Sequence, residues 1–167
     1  AVGSLALRYA TTASYNTAVG RQALGANTTG SDNVAVGWSA LAANTTGADN
    51  VSIGKQSLIN NTTASNNTGL GDRTLQATTS GGQNTAVGKD ALYLNTASEN
   101  TAVGTYALDA NTSGGNNCGV GYNVLGSNTT GGQNTAVGHT SLDACTTGVD
   151  NTAVGTSSLG ASTTGSY

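Results

Sequence analysis

Proline, methionine and phenylalanine are absent from the 167 residues, and tryptophan and histidine occur once each. Large aromatic and flexible apolar side chains supply much of the buried area in an ordinary globular domain, so their scarcity excludes a single thick core. The remaining apolar residues are mostly Ala, Val and Leu, and any core they build must be thin and repeated. Charged residues make up 8% of the chain and the formal net charge is -3. No basic surface is left to neutralise a run of phosphates, which argues against nucleic-acid binding. Two cysteines, Cys118 and Cys145, give neither a metal-ligand spacing nor a disulfide framework; they read as small residues standing at a Thr and an Asn position. No segment approaches the ~18 apolar residues of a membrane span, and the opening AVGSLALRYA lacks the charged and apolar regions of a signal peptide.

What the chain does have is glycine, 25 of them, together with Asn and Thr in strict register. A search for internal periodicity gives a unit of 17 residues opened by Asn16, Asn33, Asn50, Asn67, Asn84, Asn100, Asn117, Asn134 and Asn151, with one 16-residue spacing after Asn84. A partial unit precedes them. Written by position, the unit is N-[TVC]-[ASG]-[VIL]-G-x-x-[AST]-L-x-x-N-T-T-G-x-x. The fifth position is always Gly (Gly20, Gly37, Gly88, Gly138 among them) and the ninth always Leu (Leu24, Leu41, Leu92, Leu142). The fourth is branched aliphatic, as at Val19, Val36, Val87 and Val137. This register decides against a disordered low-complexity chain, which the composition alone would allow.

So short a unit has no room for a pair of helices, and Gly with β-branched residues opposes helix. Each unit is therefore predicted to be one coil of an all-β, parallel β-solenoid (a β-roll) of about ten 17-residue coils, a single repeat domain over residues 1–167 with the first and last coils incomplete. Because it starts and stops partway through a unit, the chain is expected to be a piece of a longer one. The strand is N-T-A-V-G. Positions two and four share a face, and as the larger apolar residues they are expected to point inward, with the small third residue pointing away. Gly at position five makes the corner, Leu points inward, N-T-T-G turns back, and stacked Asn and Thr form hydrogen-bonded ladders. Two or three inward apolar residues per coil is little for a lone chain. Small residues at position three suit close approach between chains, so a parallel homotrimer is the expectation and a monomeric solenoid the alternative.

The N-T-A-V-G strand, and still more Asn33-Val34-Ala35-Val36-Gly37 and Asn50-Val51-Ser52-Ile53-Gly54, resembles the N-S-V-A-I-G repeat of trimeric autotransporter adhesin heads. The longer N-T-A-V-G-x-x-A-L-x-x-N-T-T-G is similar to repeats of tail-fibre-like proteins from phages, large viruses and bacteria, which often end in an endosialidase-type intramolecular chaperone domain that this sequence does not contain. The resemblance covers essentially the whole chain. It implies a parallel β-roll trimer serving as stalk or adhesive head of an extracellular fibre, on a cell surface or virion; the repeat length differs from that of the adhesin heads.

No catalytic constellation is expected. His139 has Tyr122 and Thr156 at the equivalent positions of the adjoining coils, and nothing fixes a Ser/His/Asp geometry around it. No cofactor or metal is expected either: the Gly-Gly turns lack the Lys and helix of a phosphate loop, and single Asp residues before Asn do not make a calcium repeat. Positions six and seven hold most of the variability, including Arg21, Lys55, Asp72, Arg73, Lys89 and Asp90. They are expected to line one outward corner, where Trp38, Tyr106, Tyr122 and His139 are candidate contacts for a cell-surface glycan or receptor. Eight N-x-S/T sequons, at Asn27, Asn44, Asn50, Asn60, Asn61, Asn66, Asn111 and Asn128, compete with the ladder role of Asn. Two other functions compete with the fibre: an ice-binding solenoid built on Thr columns, and a subunit that self-assembles end to end into a filament.

Overall fold

A computed structural model describes residues 1–166. Nine three-residue strands, β1 (Thr17–Val19), β2 (Val34–Val36), β3 (Val51–Ile53), β4 (Thr68–Leu70), β5 (Thr85–Val87), β6 (Thr101–Val103), β7 (Cys118–Val120), β8 (Thr135–Val137) and β9 (Thr152–Val154), form one sheet in sequence order. All pairings are parallel and in register, Thr17 opposite Val34 and Val137 opposite Val154. The described residues contain no helix. The molecule is a parallel β-solenoid with a 17-residue repeat and eight full turns from β1 to β9, preceded by a partial turn that contributes the single bridge Val2–Val19.

Only the strands carry regular β geometry, yet the hydrogen-bond ladder continues around the coil. Leu92 N–H donates to Ala107 O at 3.0 Å, Asp90 N–H to Asp72 O at 3.0 Å, and Thr96 N–H to Thr112 O at 2.8 Å. Turn backbone thus finds its partners in the coils above and below, as buried amides require. The corner needs Gly at position five: Gly104 has φ of 141°, and a Cβ there would collide with the carbonyl oxygen of Gly121 in the next coil. Each coil also places its position-seven, position-nine and position-seventeen residues in the left-handed region, Leu24 to Leu142 at φ of 51° to 53° or just below. For a leucine that conformation costs roughly 1–2 kcal/mol, offset here by complete burial of the side chain.

One expectation is reversed. Position three, not positions two and four, points into the coil. Ala35, Ser52, Ala86, Ala102 and Ala136 are fully buried, whereas Val19, Leu70 and Val137 stand 40%, 45% and 38% exposed on the outer face. The interior is too narrow for the larger set. Position three packs directly on positions eight and nine: a Cβ built on Gly119 would lie 3.0 Å from Val124 Cγ1 and 3.3 Å from Leu108 Cδ1. Small residues at position three therefore serve the coil's own packing, and their restriction to Ala, Ser and Gly does not of itself speak for contact between chains.

The asparagine ladders form as expected, and there are two. At position one, the carboxamide oxygen of each Asn accepts the backbone N–H of the next, from Asn33 N to Asn16 Oδ1 at 2.9 Å up to Asn151 N to Asn134 Oδ1 at 3.0 Å. Its Nδ2 reaches across the interior to the position-fifteen carbonyl, as Asn84 does to Ala97 O at 2.9 Å and Asn134 to Gly148 O at 2.8 Å. The second column, position twelve, links Asn44 Nδ2 to Asn27 Oδ1 at 2.8 Å and Asn128 Nδ2 to Asn111 Oδ1 at 2.9 Å. Thr hydroxyls at position thirteen add a third ladder, Thr28 Oγ1 to Thr45 O at 2.9 Å. Of the eight sequons, Asn27, Asn44, Asn50, Asn61, Asn111 and Asn128 are sealed inside; Asn60 and Asn66 are exposed.

Candidate interaction surfaces

Two surfaces stand out against the repeat. The first is the outer face of the sheet. Alternation in β1–β9 aims positions two and four outward, so a column of branched aliphatics runs from Val2 to Val154 beside a column of Thr17, Val34, Val51, Thr68, Thr85, Thr101, Cys118, Thr135 and Thr152. Neither column contains a charged residue. At ~4.8 Å per strand the face is roughly 45 Å long. Cys118 lies here, half-buried, while Cys145 is inside the coil at position twelve; both are free thiols, and burial pushes the Cys145 thiol above its ordinary value.

The second surface is the corner after Gly. Trp38 is 41% exposed, with Lys55 Nζ 5.7 Å from its ring centroid. Tyr106, Tyr122 and His139 fall together: Tyr106 and Tyr122 meet edge to face at 6.0 Å, and Tyr122 stacks on His139 at 5.2 Å with ring planes 15° apart. Trp38 does not join them, being four coils away, roughly 19 Å along the axis. The His139 Nδ1 lies 3.3 Å from the Thr140 hydroxyl.

Beside these rings, positions seven and ten border a cleft of about 220 Å³ lined by Arg73, Asp90, Tyr93, Tyr106 and Asp109. Arg73 Nη2 donates to Asp90 Oδ2 at 2.7 Å, and that bond raises the guanidinium pKa further. The Arg73 guanidinium also lies 5.3 Å from the Tyr93 ring centroid, and Lys89 Nζ 5.7 Å from that of Tyr106. Burial pushes the Asp109 carboxyl above its ordinary value, against hydrogen bonds from its own and the Ala110 backbone N–H groups. Asp90 is only 4% exposed, yet its Oδ1, the Arg73 Nε and the Asp72 Oδ1 are buried without hydrogen-bond partners among the described residues. Position seven is half-buried in most coils, so the two positions taken together as one outward corner differ: six projects and seven lines the cleft. Tyr93 and Asp109 are not among the candidate contacts, and position ten, which also holds Arg8, Ile59, Gln76 and Asp143, gives no sequence signal that singles them out.

No protein-family model, curated protein or solved structure matches the chain.

Proposed function

We propose that this protein is a structural segment, shaft or head, of an extracellular fibre, in which three parallel copies pack around a common axis through the outer faces of their sheets. The corner residues, turned away from that face, serve surface attachment. The observation that carries this reading is the uncharged aliphatic column from Val2 to Val154. Parallel sheets are found almost only with both faces covered; here the coil interior covers one face and nothing among the described residues covers the other. A stripe this long and one strand wide amounts to roughly 300–450 Å², the size of the patches that mark interaction sites on soluble proteins. It repeats every ~4.8 Å, so a partner matching it along its whole length must share that period, and another copy of the chain does. One pairwise contact over this stripe falls short of the ~800 Å² per partner of a stable complex, whereas closure by three chains covers it from two sides and draws in the flanking columns. Placement outside the cell, on a cell surface or a virion, follows from the resemblance to adhesin-head and tail-fibre repeats.

The test is the mass in solution by light scattering, with electron microscopy of the same sample. Rods at three times the 16.2 kDa chain mass are expected. A compact monomer at all accessible concentrations would sink the shared-face reading, and mass that grows without limit would point to an end-to-end filament instead.

A second reading gains from the reversal of the strand. With Thr at position two facing outward beside Val, the sheet presents regular rows of hydroxyl and methyl groups, which suits the ordering of water for ice binding. A thermal-hysteresis assay separates the two: ice shaping by a monomer replaces the fibre reading, and no shaping at high concentration removes the alternative.

A further inference from the structure

We infer that the cleft between Arg73, Asp90, Tyr93, Tyr106 and Asp109 is a carbohydrate subsite that seats one ring of a neutral oligosaccharide. The inference deepens the attachment role proposed above and rests on the corner being free of the shared face. Charge is scarce in this chain, yet Arg73, Lys89, Asp90 and Asp109 meet at this one patch, with Asp72 next to Arg73 in the chain. Elsewhere positions seven and ten are mostly small or uncharged. Over three successive coils these two positions instead bring Arg73, Asp90, Tyr93, Tyr106 and Asp109 around one cleft.

The chemistry of the lining matches sugar hydroxyls. The Arg73 guanidinium, its side chain 36% exposed, offers donors at the cleft, and the half-buried Asp109 carboxylate offers acceptors. A vicinal pair of hydroxyls donates and accepts at once, so one sugar ring can satisfy groups of both kinds. Tyr93 and Tyr106 supply flat apolar surface for the C–H face of the ring. The cleft, about 220 Å³, is smaller than the ~300–1,000 Å³ of sites for drug-sized ligands, which suits one ring. Beyond it the Tyr122–His139 stack continues the aromatic surface along the axis for the following units. Two cations against three carboxylates leave the patch with a negative balance, which selects against sialylated and other acidic sugars.

The experiment is an array of neutral hexose- and N-acetylhexosamine-terminated oligosaccharides alongside sialylated ones, probed with the full chain and followed by titration with the best neutral hit. Binding to neutral members is expected, weakened about tenfold or more by Tyr106→Ala and by Asp109→Asn, and unchanged in Asp150→Asn, which lies outside the cleft. Circular dichroism of each variant shows that the coil stays folded. No signal on any member, a signal confined to sialylated ones, or neutral-sugar binding unmoved by both cleft variants would overturn the inference. Light scattering on the same samples keeps the two readings apart: a monomer that binds neutral sugar removes the shared face and leaves the subsite, and a trimer that binds none does the reverse.

Discussion

The asparagine that opens each coil performs three tasks that no other side chain of its size combines. Its Oδ1 accepts a backbone N–H from the next coil, its Nδ2 donates to a carbonyl across the interior, and in most coils Nδ2 also meets the Asn below, as Asn50 Nδ2 does Asn33 Oδ1 at 3.0 Å. Aspartate would lack the donors and bury a charge; Ser and Thr offer one hydroxyl. The position-twelve column follows the same logic with two interruptions, Thr78 and Cys145, and each leaves a mark. Asn61 Oδ1 and Asn128 Oδ1, the acceptors that face these two residues, are buried without partners. Restoring the donor should therefore stabilise the coil. Cys145→Asn is expected to add about 1–3 kcal/mol to the unfolding free energy, read from urea or thermal unfolding; an unchanged or lowered stability would contradict the ladder as the source of order in this column.

At the scale of the strand, much was legible in the sequence: the period, the Gly corner, the inward Leu and the Asn ladder all follow from residues that recur at one position. The facing of positions two to four was not. Alternation sorts a strand into two sets but does not say which set is inside, and ranking by hydrophobicity picks the larger one. What decides is width, since Leu at position nine and Asn at positions one and twelve already fill the coil. A signal for this was present in pairs of positions. Where position three loses its Cβ, at Gly69 and Gly119, position eight enlarges to Thr74 and Val124; where position three is Ser52, position eight is Ser57, whose carbonyl accepts the Ser52 hydroxyl at 2.8 Å. The cleft was legible only in part, because Tyr93 and Asp109 matter through their neighbours in adjoining coils. The compensation gives a direct check: Gly119→Ala crowds Val124 and Val124→Ala leaves a void, while the double variant should recover part of both losses, with a coupling of about 0.5–3 kcal/mol in a double-mutant unfolding cycle. Additive losses would mean that position three does not pack against position eight.

At the scale of the whole molecule, each coil touches only the coils beside it, so stability accumulates along the axis as in other solenoids. What distinguishes one side from another is the set of residues that the repeat leaves facing outward: aliphatic and uncharged on the sheet, aromatic and charged at the corner. The central claim is that copies of the chain cover the sheet face, and the protein carries its own probe there. Of the two thiols, Cys145 is enclosed in the coil and Cys118 sits on the outer face of β7. Maleimide modification of the native protein, counted by mass spectrometry against a denatured control, reads the accessibility of that face. With the face buried against copies of the chain, neither thiol should react until the protein is denatured, when both do. Rapid modification of Cys118 in folded protein, with Cys145 untouched, would show an open face and contradict the shared-axis assembly.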